Sequence, residues 1–314
     1  MTRRFDVSVI VPIVAKVGDL EALVTEYGSV LQQCGKTYEF IFVLGPQHRP
    51  LASDLQDIRR GIEVDITILA LPAPFHEATA LAAGFDRAAG DVVITCAAFF
   101  QVTPESIPVM LEELENGDAD LVVARRYPRR GSFLNRLQAQ VFHWLVRTLT
   151  ATEFHDVTCG FRAMKRQVAE ALHLYGDLHR FIPIIARTLG FRVTEVKVEQ
   201  HVEDRPTKLY GPAVYSRRIL DILTVFFLVN FTRRPLRFFG LIGLGLLVLG
   251  GGITLYLGIY RILGMGGIAD RPLLLLGILL AVLGFQSISM GLLGELIIYT
   301  HARKMRTYRI AQEF

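Results

Sequence analysis

The chain has 314 residues, 51% of them hydrophobic, a mean hydropathy of +0.37 and a formal net charge of +4. This length fits one large domain or two modest ones, but the composition is too apolar for a protein that lies wholly in water. The basic residues flank apolar segments, so an anionic membrane surface is a better partner than nucleic acid. The chain has three cysteines, and this odd number in a cytoplasmic domain indicates reduced thiols rather than a disulfide framework.

Strand and helix signals alternate along residues 7–124. The N-terminal apolar run has β-branched alternation and is interrupted by Pro12, which favours a buried strand over a signal peptide. We predict strands at 7–11, 38–44, 66–71, 91–95 and 119–124, and helices at 20–34, 77–89 and 104–115. This alternation is typical of βαβ units and a mostly parallel sheet. Ligands of such sheets bind beyond the carboxyl ends of the strands, so we expect them near residues 12–16, 44–48 and 97–101.

Two long apolar segments follow. Residues 238–260 carry no charge, and residues 273–299 carry only Glu295. At about 1.5 Å rise per residue, each helix is long enough to span the ~30 Å hydrocarbon core of a bilayer; two buried core helices are the alternative. Basic residues precede the first segment and follow the second: Arg233, Arg234, Arg237, Arg303, Lys304, Arg306 and Arg309. The positive-inside rule therefore predicts a multi-pass protein of the cytoplasmic (inner) membrane with both termini in the cytoplasm.

Small residues recur at four-residue spacing in both apolar segments. They are Gly250, Thr254 and Gly258 in the first and Ser287 and Gly291 in the second. Such spacing lets helix backbones approach closely. We therefore predict a packed hairpin and homo-oligomers.

Several motifs occur in an order that is characteristic of one enzyme family. They are YEFIFV at 38–43, AGFDRAAGDVVIT at 83–95, QVTPESIPVMLEEL at 101–114, ADLVVARRYPRR at 119–130, HDVTCGFRAMKRQV at 155–168 and HRFIPIIARTLGFRVTEVKVE at 179–199. This set resembles glycosyltransferase family 2. The tail MGLLGELIIYTHARKMRTYRI at 290–310 resembles the membrane-anchored polyprenyl-phosphate branch, of the dolichyl-phosphate mannose synthase and bactoprenol glucosyltransferase type.

The resemblance implies an architecture and a reaction class. Residues 1–210 are expected to form a cytoplasmic α/β domain of GT-A type, with a mostly parallel sheet flanked by helices. Residues 211–237 are expected to form amphipathic juxtamembrane helices, and 238–314 a two-helix transmembrane hairpin with a basic tail. The implied partners are a polyprenyl phosphate lipid, the membrane, and a nucleotide sugar or lipid-linked sugar donor, for the synthesis of a cell envelope glycan.

The chain departs from this family on the donor side. Where the family shows Asn-Glu, Asp-Asp-Gly and Asp-x-Asp, this chain has Ala-Lys at 15–16, Leu-Gly-Pro at 44–46 and Ala-Ala-Phe at 97–99. In the family, the Asp-x-Asp carboxylates hold Mg²⁺ or Mn²⁺ on the sugar diphosphate. Such cations need oxygen ligands, which alanine and phenylalanine side chains do not supply. We therefore expect no metal at this place, and no other cofactor.

The resemblance and the carboxyl-edge rule together assign candidate site residues. The donor is expected near Pro12, Lys16, Leu44 and Gln101. Asp156 is the candidate catalytic carboxylate near the acceptor, as a base or as a group that orients the nucleophile. The alternative is that Asp156 caps a turn and pairs with the nearby arginine of the Cys-Gly-Phe-Arg motif.

Five cations are candidates for the lipid phosphate, because guanidinium and ammonium groups match phosphate oxygens. They are Arg125, Arg126, Arg162, Arg205 and Lys208. An ordinary solvated basic loop is the alternative for the first two. His76, His143 and His179 lack metal-ligand spacing with cysteine or aspartate, so structural roles are expected for them. By resemblance alone, His179 and Arg180 are weaker candidates for the acceptor site.

Three functions remain open at this point. The first is an inverting glycosyltransferase that acts on polyprenyl phosphate without the usual metal, and the second is a transferase with an unusual donor. The third is a catalytically silent homologue that binds lipid phosphate or partners an active transferase or flippase. The missing donor-side carboxylates favour the last two, and the preserved acceptor-side motifs favour the first two. We expect an enzyme of the hexosyltransferase type.

Overall fold

The structure is a computed structural model that describes residues 5–14, 16–62, 64–128, 154–156, 158–174, 176, 178–204, 235–264 and 272–302. The chain divides into two compact units, residues 1–225 and 226–314. Of the predicted amphipathic segment 211–237, residues 211–234 lie outside the described residues.

The first unit alternates strands and helices. Its strands are β1 (Val7–Ile13), β2 (Tyr38–Leu44), β3 (Asp65–Ala70), β4 (Val92–Thr95), β5 (Leu121–Arg126), β6 (Arg162–Lys165) and β7 (Val193–Val198). Its helices are α1 (Leu20–Gln33), α2 (Leu51–Gly61), α3 (Glu77–Arg87), α4 (Ser106–Glu115), α5 (Arg166–Ala171) and α6 (Ile182–Thr188). Short 3₁₀ turns occupy Pro46–His48, Leu178–Phe181 and Val202–Asp204.

The seven strands form one sheet in the order β3-β2-β1-β4-β6-β5-β7. β6 runs antiparallel to its neighbours β4 and β5, and the other neighbouring pairs are parallel. The predicted mostly parallel α/β sheet is confirmed. The strand order reverses between β1 and β4, and in open α/β sheets such a reversal opens a crevice at the carboxyl ends of the strands. The reversed direction of β6 brings its first residue, Arg162, to this same edge.

The central strands are continuous apolar runs because both faces of the sheet are covered. Alternate side chains of β1 and β2 pack on one face with α1, and Ile10, Ile41 and Val43 pack on the other face with α3. Helix α1 begins directly after Asp19, which caps its N-terminus. The Asp19 carboxylate accepts a hydrogen bond from the Ala22 N–H at 3.0 Å, which satisfies a donor that the helix leaves open.

The second unit consists of two long helices, α7 (Pro235–Ile262) and α8 (Pro272–Ala302). Their mean hydropathies are 2.1 and 2.2, measured for α8 over Pro272–Ile298, and both are long and apolar enough to cross a bilayer. The helices contain the predicted spans 238–260 and 273–299 and extend beyond them at both ends. We take this unit as the membrane-spanning part of the protein.

The two long helices meet backbone to backbone through glycines. A Cβ atom on Gly250 would lie 2.5 Å from the Gly277 carbonyl oxygen, and one on Gly243 would lie 2.6 Å from the Gly284 carbonyl oxygen. Only a residue without a side chain fits such a contact. Of the predicted small-residue face, Gly250 lies at this contact, whereas a Cβ on Gly258 would meet no atom within 4 Å.

Substituting Gly250 with alanine is therefore expected to destabilise the hairpin by about 1–3 kcal/mol, because the added methyl group has no room. The matched control is Gly245→Ala, since a Cβ there would meet no atom within 4 Å. Thermal unfolding of both variants in the same detergent measures the difference. Equal melting temperatures for the two variants would contradict the close helix contact.

Candidate functional site

The loops at the carboxyl edge of the sheet are tied to one another by hydrogen bonds. The Gly18 N–H, after β1, donates to the Ala98 carbonyl, after β4, at 2.7 Å. The Gln101 side-chain Oε1 accepts from the Gly160 N–H at 2.9 Å, and its main-chain carbonyl accepts from the His201 N–H at 3.1 Å. Gln101, a predicted donor residue, thus holds the loop after β4 against the segments before β6 and after β7.

The segment where the resemblance would place the metal-binding motif carries apolar side chains. Ala97, Ala98 and Phe99 offer no oxygen ligand, and the described residues contain no group of three or more His, Cys, Asp or Glu able to hold a metal ion. A divalent cation does not fit this set of side chains. The Lys16 ammonium lies there instead, 4.2 Å from the centroid of the Phe99 ring, and donates to the Glu203 carbonyl.

Glu203 and Gly18 complete this arrangement, which we call the Lys16 cluster (Lys16, Gly18, Phe99, Glu203). The Glu203 Oε2 atom accepts a hydrogen bond from the Phe100 N–H at 3.3 Å. A Cβ atom on Gly18 would lie 3.0 Å from both the Glu203 Oε2 and the Phe99 Cβ, so glycine permits the close approach of the three segments. The Lys16 side chain itself remains exposed.

A second cluster is built on Arg126, the last residue of β5. Its guanidinium makes a bidentate ion pair with Asp156, at 2.7 Å (Nε to Oδ2) and 2.9 Å (Nη2 to Oδ1). It also contacts Asp204 Oδ2 and Thr158 Oγ1, each at 2.8 Å. The alternative that Asp156 pairs with Arg162 is wrong, because β5 aims Arg126 directly at the carboxylate.

One guanidinium faces two carboxylates inside this Arg126 cluster (Arg126, Asp156, Thr158, Asp204). Burial opposes the charge of Arg126, but the two carboxylates hold the pKa of its guanidinium above the ordinary value. The Gln200 side-chain amide donates a hydrogen bond to Asp204 Oδ2 at 2.7 Å, which helps to hold this carboxylate in place. Arg126 is therefore engaged by protein groups, and Asp156 is held rigidly in one orientation.

Arg125 lies on the opposite face of β5, because side chains alternate along a strand. Its guanidinium carbon lies 6.0 Å from the Tyr127 ring centroid, and the Lys197 ammonium lies 5.6 Å from the same ring. These two cations stand at the surface rather than in the cluster. The other predicted phosphate ligands, Arg205 and Lys208, lie outside the described residues.

Arg162 is the most unusual residue of the site. Its side chain is 1% exposed, and its Nε and Nη1 atoms have no hydrogen-bond partner among the described residues. Met164, two residues further along β6, packs in the cluster that contains α3, so alternation places Arg162 on the α3 face of the sheet. Burial lowers the pKa of its guanidinium, and the nearby carboxylate of Glu77, the first residue of α3, opposes that shift.

His179 completes what we call the Arg162 cluster (Arg162, Glu77, His179). Its Nε2 lies 3.3 Å from the Glu77 Oε2, while its buried Nδ1 has no hydrogen-bond partner among the described residues. Burial, then the charges of Arg180, Arg162 and His76, lower its pKa to about 3, despite the nearby Glu77 carboxylate. The neutral imidazole therefore donates from Nε2 and leaves Nδ1 as an acceptor. Sequence reasoning gave His179 a structural role and missed Glu77, whose only signal was an acidic residue at the start of a helix.

Two predicted donor residues belong to the core. Pro12 lies within β1, paired in register with Val43 of β2, and the Leu44 side chain is fully buried. The Leu44 carbonyl already accepts from the Leu71 N–H at 2.9 Å. A ligand at this edge therefore meets the loops that follow these residues, rather than their side chains.

The chain was compared with known families, proteins and structures. Residues 8–172 match the family described as Glycosyl transferase family 2. The chain is 31% identical over 306 residues to a dodecaprenyl-phosphate galacturonate synthase of Rhizobium johnstonii, covering 96% of this chain and 90% of that protein. It is 31% identical over 307 residues to an undecaprenyl-phosphate 4-deoxy-4-formamido-L-arabinose transferase of Pectobacterium carotovorum, covering 96% and 92%.

A comparison with solved structures supports the fold. Glucosyl-3-phosphoglycerate synthase from Mycobacterium tuberculosis, in complex with Mn²⁺, uridine diphosphate and phosphoglyceric acid, superposes with a TM-score of 0.51 at 15% identity. The match covers 71% of this chain and 78% of that one, and it shows the fold alone. With the family match and the two curated relatives, the evidence is sufficient: the chain is a member of glycosyltransferase family 2.

Proposed function

We propose that this membrane-bound glycosyltransferase transfers a sugar from a nucleotide sugar to the phosphate of a polyprenyl phosphate. Two relatives that align with 96% of the chain are named for dodecaprenyl-phosphate and undecaprenyl-phosphate products or acceptors. Both are named as a synthase or a transferase, which supports an enzyme over the catalytically silent homologue. The alignments extend over the two long helices, so the membrane hairpin is part of what the relatives share.

The reaction makes two demands on the site. An oxygen of the acceptor phosphate attacks the anomeric carbon of the sugar, and the bond from that carbon to the diphosphate of the donor breaks. An acceptor phosphate is already ionised at neutral pH and needs little deprotonation. The site must therefore hold two anionic groups close together against their repulsion, and it must hold the nucleophile in line.

The observation that carries the proposal is the buried guanidinium of Arg162. The Glu77 carboxylate offsets part of the cost of burying this charge. The Nε and Nη1 donors still lack acceptors among the described residues, so a substrate anion is their natural partner. Guanidinium N–H groups are strong donors to phosphate oxygens. Arg162 lies at the carboxyl edge of the sheet, where ligands of this fold bind. We assign it to the acceptor phosphate.

The remaining assignments follow from this one. Asp156, held by Arg126, orients the acceptor rather than accepting its proton. Arg125 and, later in the chain, Arg205 and Lys208 are proposed to attract the lipid head group at the membrane surface. We further propose that both termini lie in the cytoplasm and that the hairpins associate into homo-oligomers.

Activity is tested with the full chain in nanodiscs, undecaprenyl phosphate and a panel of radiolabelled UDP- and GDP-sugars that includes UDP-galacturonate. We expect a radiolabelled lipid product from at least one donor. Failure of every donor to give a lipid product would refute the proposed reaction.

Arg162→Met separates a functional cation from a structural one. Charge-assisted contacts contribute about 1.5–3 kcal/mol, so we expect the variant to bind undecaprenyl phosphate about 10–150-fold more weakly. Its melting temperature without lipid should change little, because the cost of burying the guanidinium offsets its attraction to the Glu77 carboxylate. The control Arg60→Met removes an exposed arginine of α2 that pairs with Asp57. A variant that binds lipid normally but melts far lower would make Arg162 a structural residue.

A further inference from the structure

We infer that Lys16 supplies to the donor diphosphate the positive charge that Mg²⁺ or Mn²⁺ supplies in the family that the chain resembles. This inference rests on the proposed function, because it concerns the donor of that reaction. It names a fixed side chain, rather than a metal ion, as the counter-charge of the leaving group.

The first argument is position. Lys16 follows β1 and Phe99 follows β4, and these two strands are neighbours at the point where the strand order reverses. Ligands of open α/β sheets bind in the crevice at this point. The ammonium lies over the ring of Phe99, the third residue of the segment that replaces the Asp-x-Asp motif.

The second argument is the chemistry of the side chains. No side chain in 97–99 offers an oxygen ligand, and the nearby Glu203 carboxylate is engaged by the Phe100 N–H. One carboxylate is too few for Mg²⁺ or Mn²⁺, which bind through several oxygens. The family metal therefore does not fit, while a cation attached to the chain is already there.

The third argument is that Lys16 is held in place but not saturated. An ammonium group has three donors, and the Glu203 carbonyl accepts one of them. The face of Phe99 attracts the charge without using a donor, and the side chain is exposed. Donors therefore remain for phosphate oxygens, and the ordering of the side chain precedes donor binding, which favours affinity.

The chemical step balances with this arrangement. As the acceptor phosphate oxygen bonds to the anomeric carbon, the bonding electron pair of the sugar–diphosphate link leaves with the nucleoside diphosphate. The Lys16 ammonium donates hydrogen bonds to the oxygen that gains charge. No proton, metal or redox partner is consumed.

Binding of diphosphates to the full chain in nanodiscs tests the inference without relying on turnover. The probes are UDP, GDP and inorganic pyrophosphate, titrated by calorimetry in EDTA and again with Mn²⁺. We expect the wild type to bind at least one nucleotide equally well in both buffers. Lys16→Met should weaken that binding by about 10-fold or more, and Lys16→Arg should retain most of it.

Lys36→Met is the matched control. This lysine pairs with Glu115 and precedes β2, at the opposite edge of the sheet, so its loss should leave diphosphate binding unchanged. Binding that requires Mn²⁺, or that is the same in Lys16→Met as in wild type, would overturn the inference. So would the absence of binding by all three probes. A failure of sugar transfer alone would refute the proposed reaction and leave this result standing.

A second variant asks whether the metal site can be restored. The double substitution Ala97→Asp with Phe99→Asp, made in the Lys16→Met background, returns two carboxylates to the loop after β4. We expect diphosphate binding by this variant to become dependent on Mn²⁺. Binding that is restored equally in EDTA would show that Phe99, rather than the charge of Lys16, determines affinity, and would count against the inference.

Discussion

Replacing Arg126 with methionine is expected to lower the free energy of unfolding by about 3–5 kcal/mol, because it leaves buried carboxylates without their counter-charge. The Arg126 guanidinium touches both Asp156 and Asp204, and the side chains of all three are at most 10% exposed. Arg126→Lys should recover only part of the loss, since one ammonium group cannot reproduce the bidentate pair with Asp156.

Arg125→Met is the internal control for this effect. The two arginines are neighbours on β5, but Arg125 lies at the surface near Tyr127 and contacts neither carboxylate. Thermal unfolding, with hydrogen–deuterium exchange of the β5 and β6 amides, reports the local loss. Adding Asp156→Asn and Asp204→Asn to Arg126→Met should restore part of the stability. A loss below about 1 kcal/mol for Arg126→Met would instead show that water or protons compensate the carboxylates.

Acidification is expected to destabilise the protein through His179. The pKa of this imidazole is about 3 in the folded chain, against 6.5 for the free side chain, so below pH 6.5 the unfolded state binds the additional proton. The free energy of unfolding is unaffected by this histidine above pH 6.5. Below that pH it falls by up to about 1.4 kcal/mol per pH unit, until His179 of the folded protein is also protonated near pH 3. Between pH 6.5 and pH 4.5 the loss should be about 2 kcal/mol.

His179→Gln isolates this contribution. Glutamine keeps a donor for Glu77 but does not titrate, so the stability of the variant should fall less steeply between pH 6.5 and pH 4.5. Glu77 is present in both proteins, so its own titration largely cancels in the difference. His173→Gln, at an exposed position after α5, serves as the control. Parallel stability curves for wild type and His179→Gln would contradict the buried neutral histidine.

The sequence was sufficient for the elements that carry a continuous apolar pattern. β2 begins and ends where the run YEFIFVL predicts, and α1 begins after the capping residue Asp19. An apolar run of this length is most stable as a central strand whose two faces are both buried, so the local pattern and the fold agree.

The elements that were missed are short or strongly charged. β6 has four residues, Arg162–Lys165, with a cation at each end, and only the neighbouring strands identify it as a strand. Helix α2 contains two aspartates and two arginines and buries one side chain, Leu55, so its apolar stripe is weak. Tertiary pairing, which a single sequence does not display, decided both segments.

The candidate site, too, could be predicted only in part from the sequence. The family motifs indicated candidate residues, but not which of them are in contact. Asp156 is six positions from Arg162 and thirty from Arg126, yet it pairs with Arg126, because the register of β5 and β6 outweighs proximity along the chain. The contact between Lys16 and Phe99 likewise depends on the pairing of β1 with β4.

The reversed strand β6 also makes this fold easy to modify. The chain leaves the sheet at Arg126 and returns at Arg162, on adjacent strands and at the same edge. A connection between two fixed points that lie side by side can change in length or sequence at little entropic cost and without shifting any strand pair. Evolution, or an engineer who builds chimeras of family members, can therefore exchange this connection as one cassette, provided that Asp156, Thr158 and Gly160 are kept for their contacts with Arg126 and Gln101.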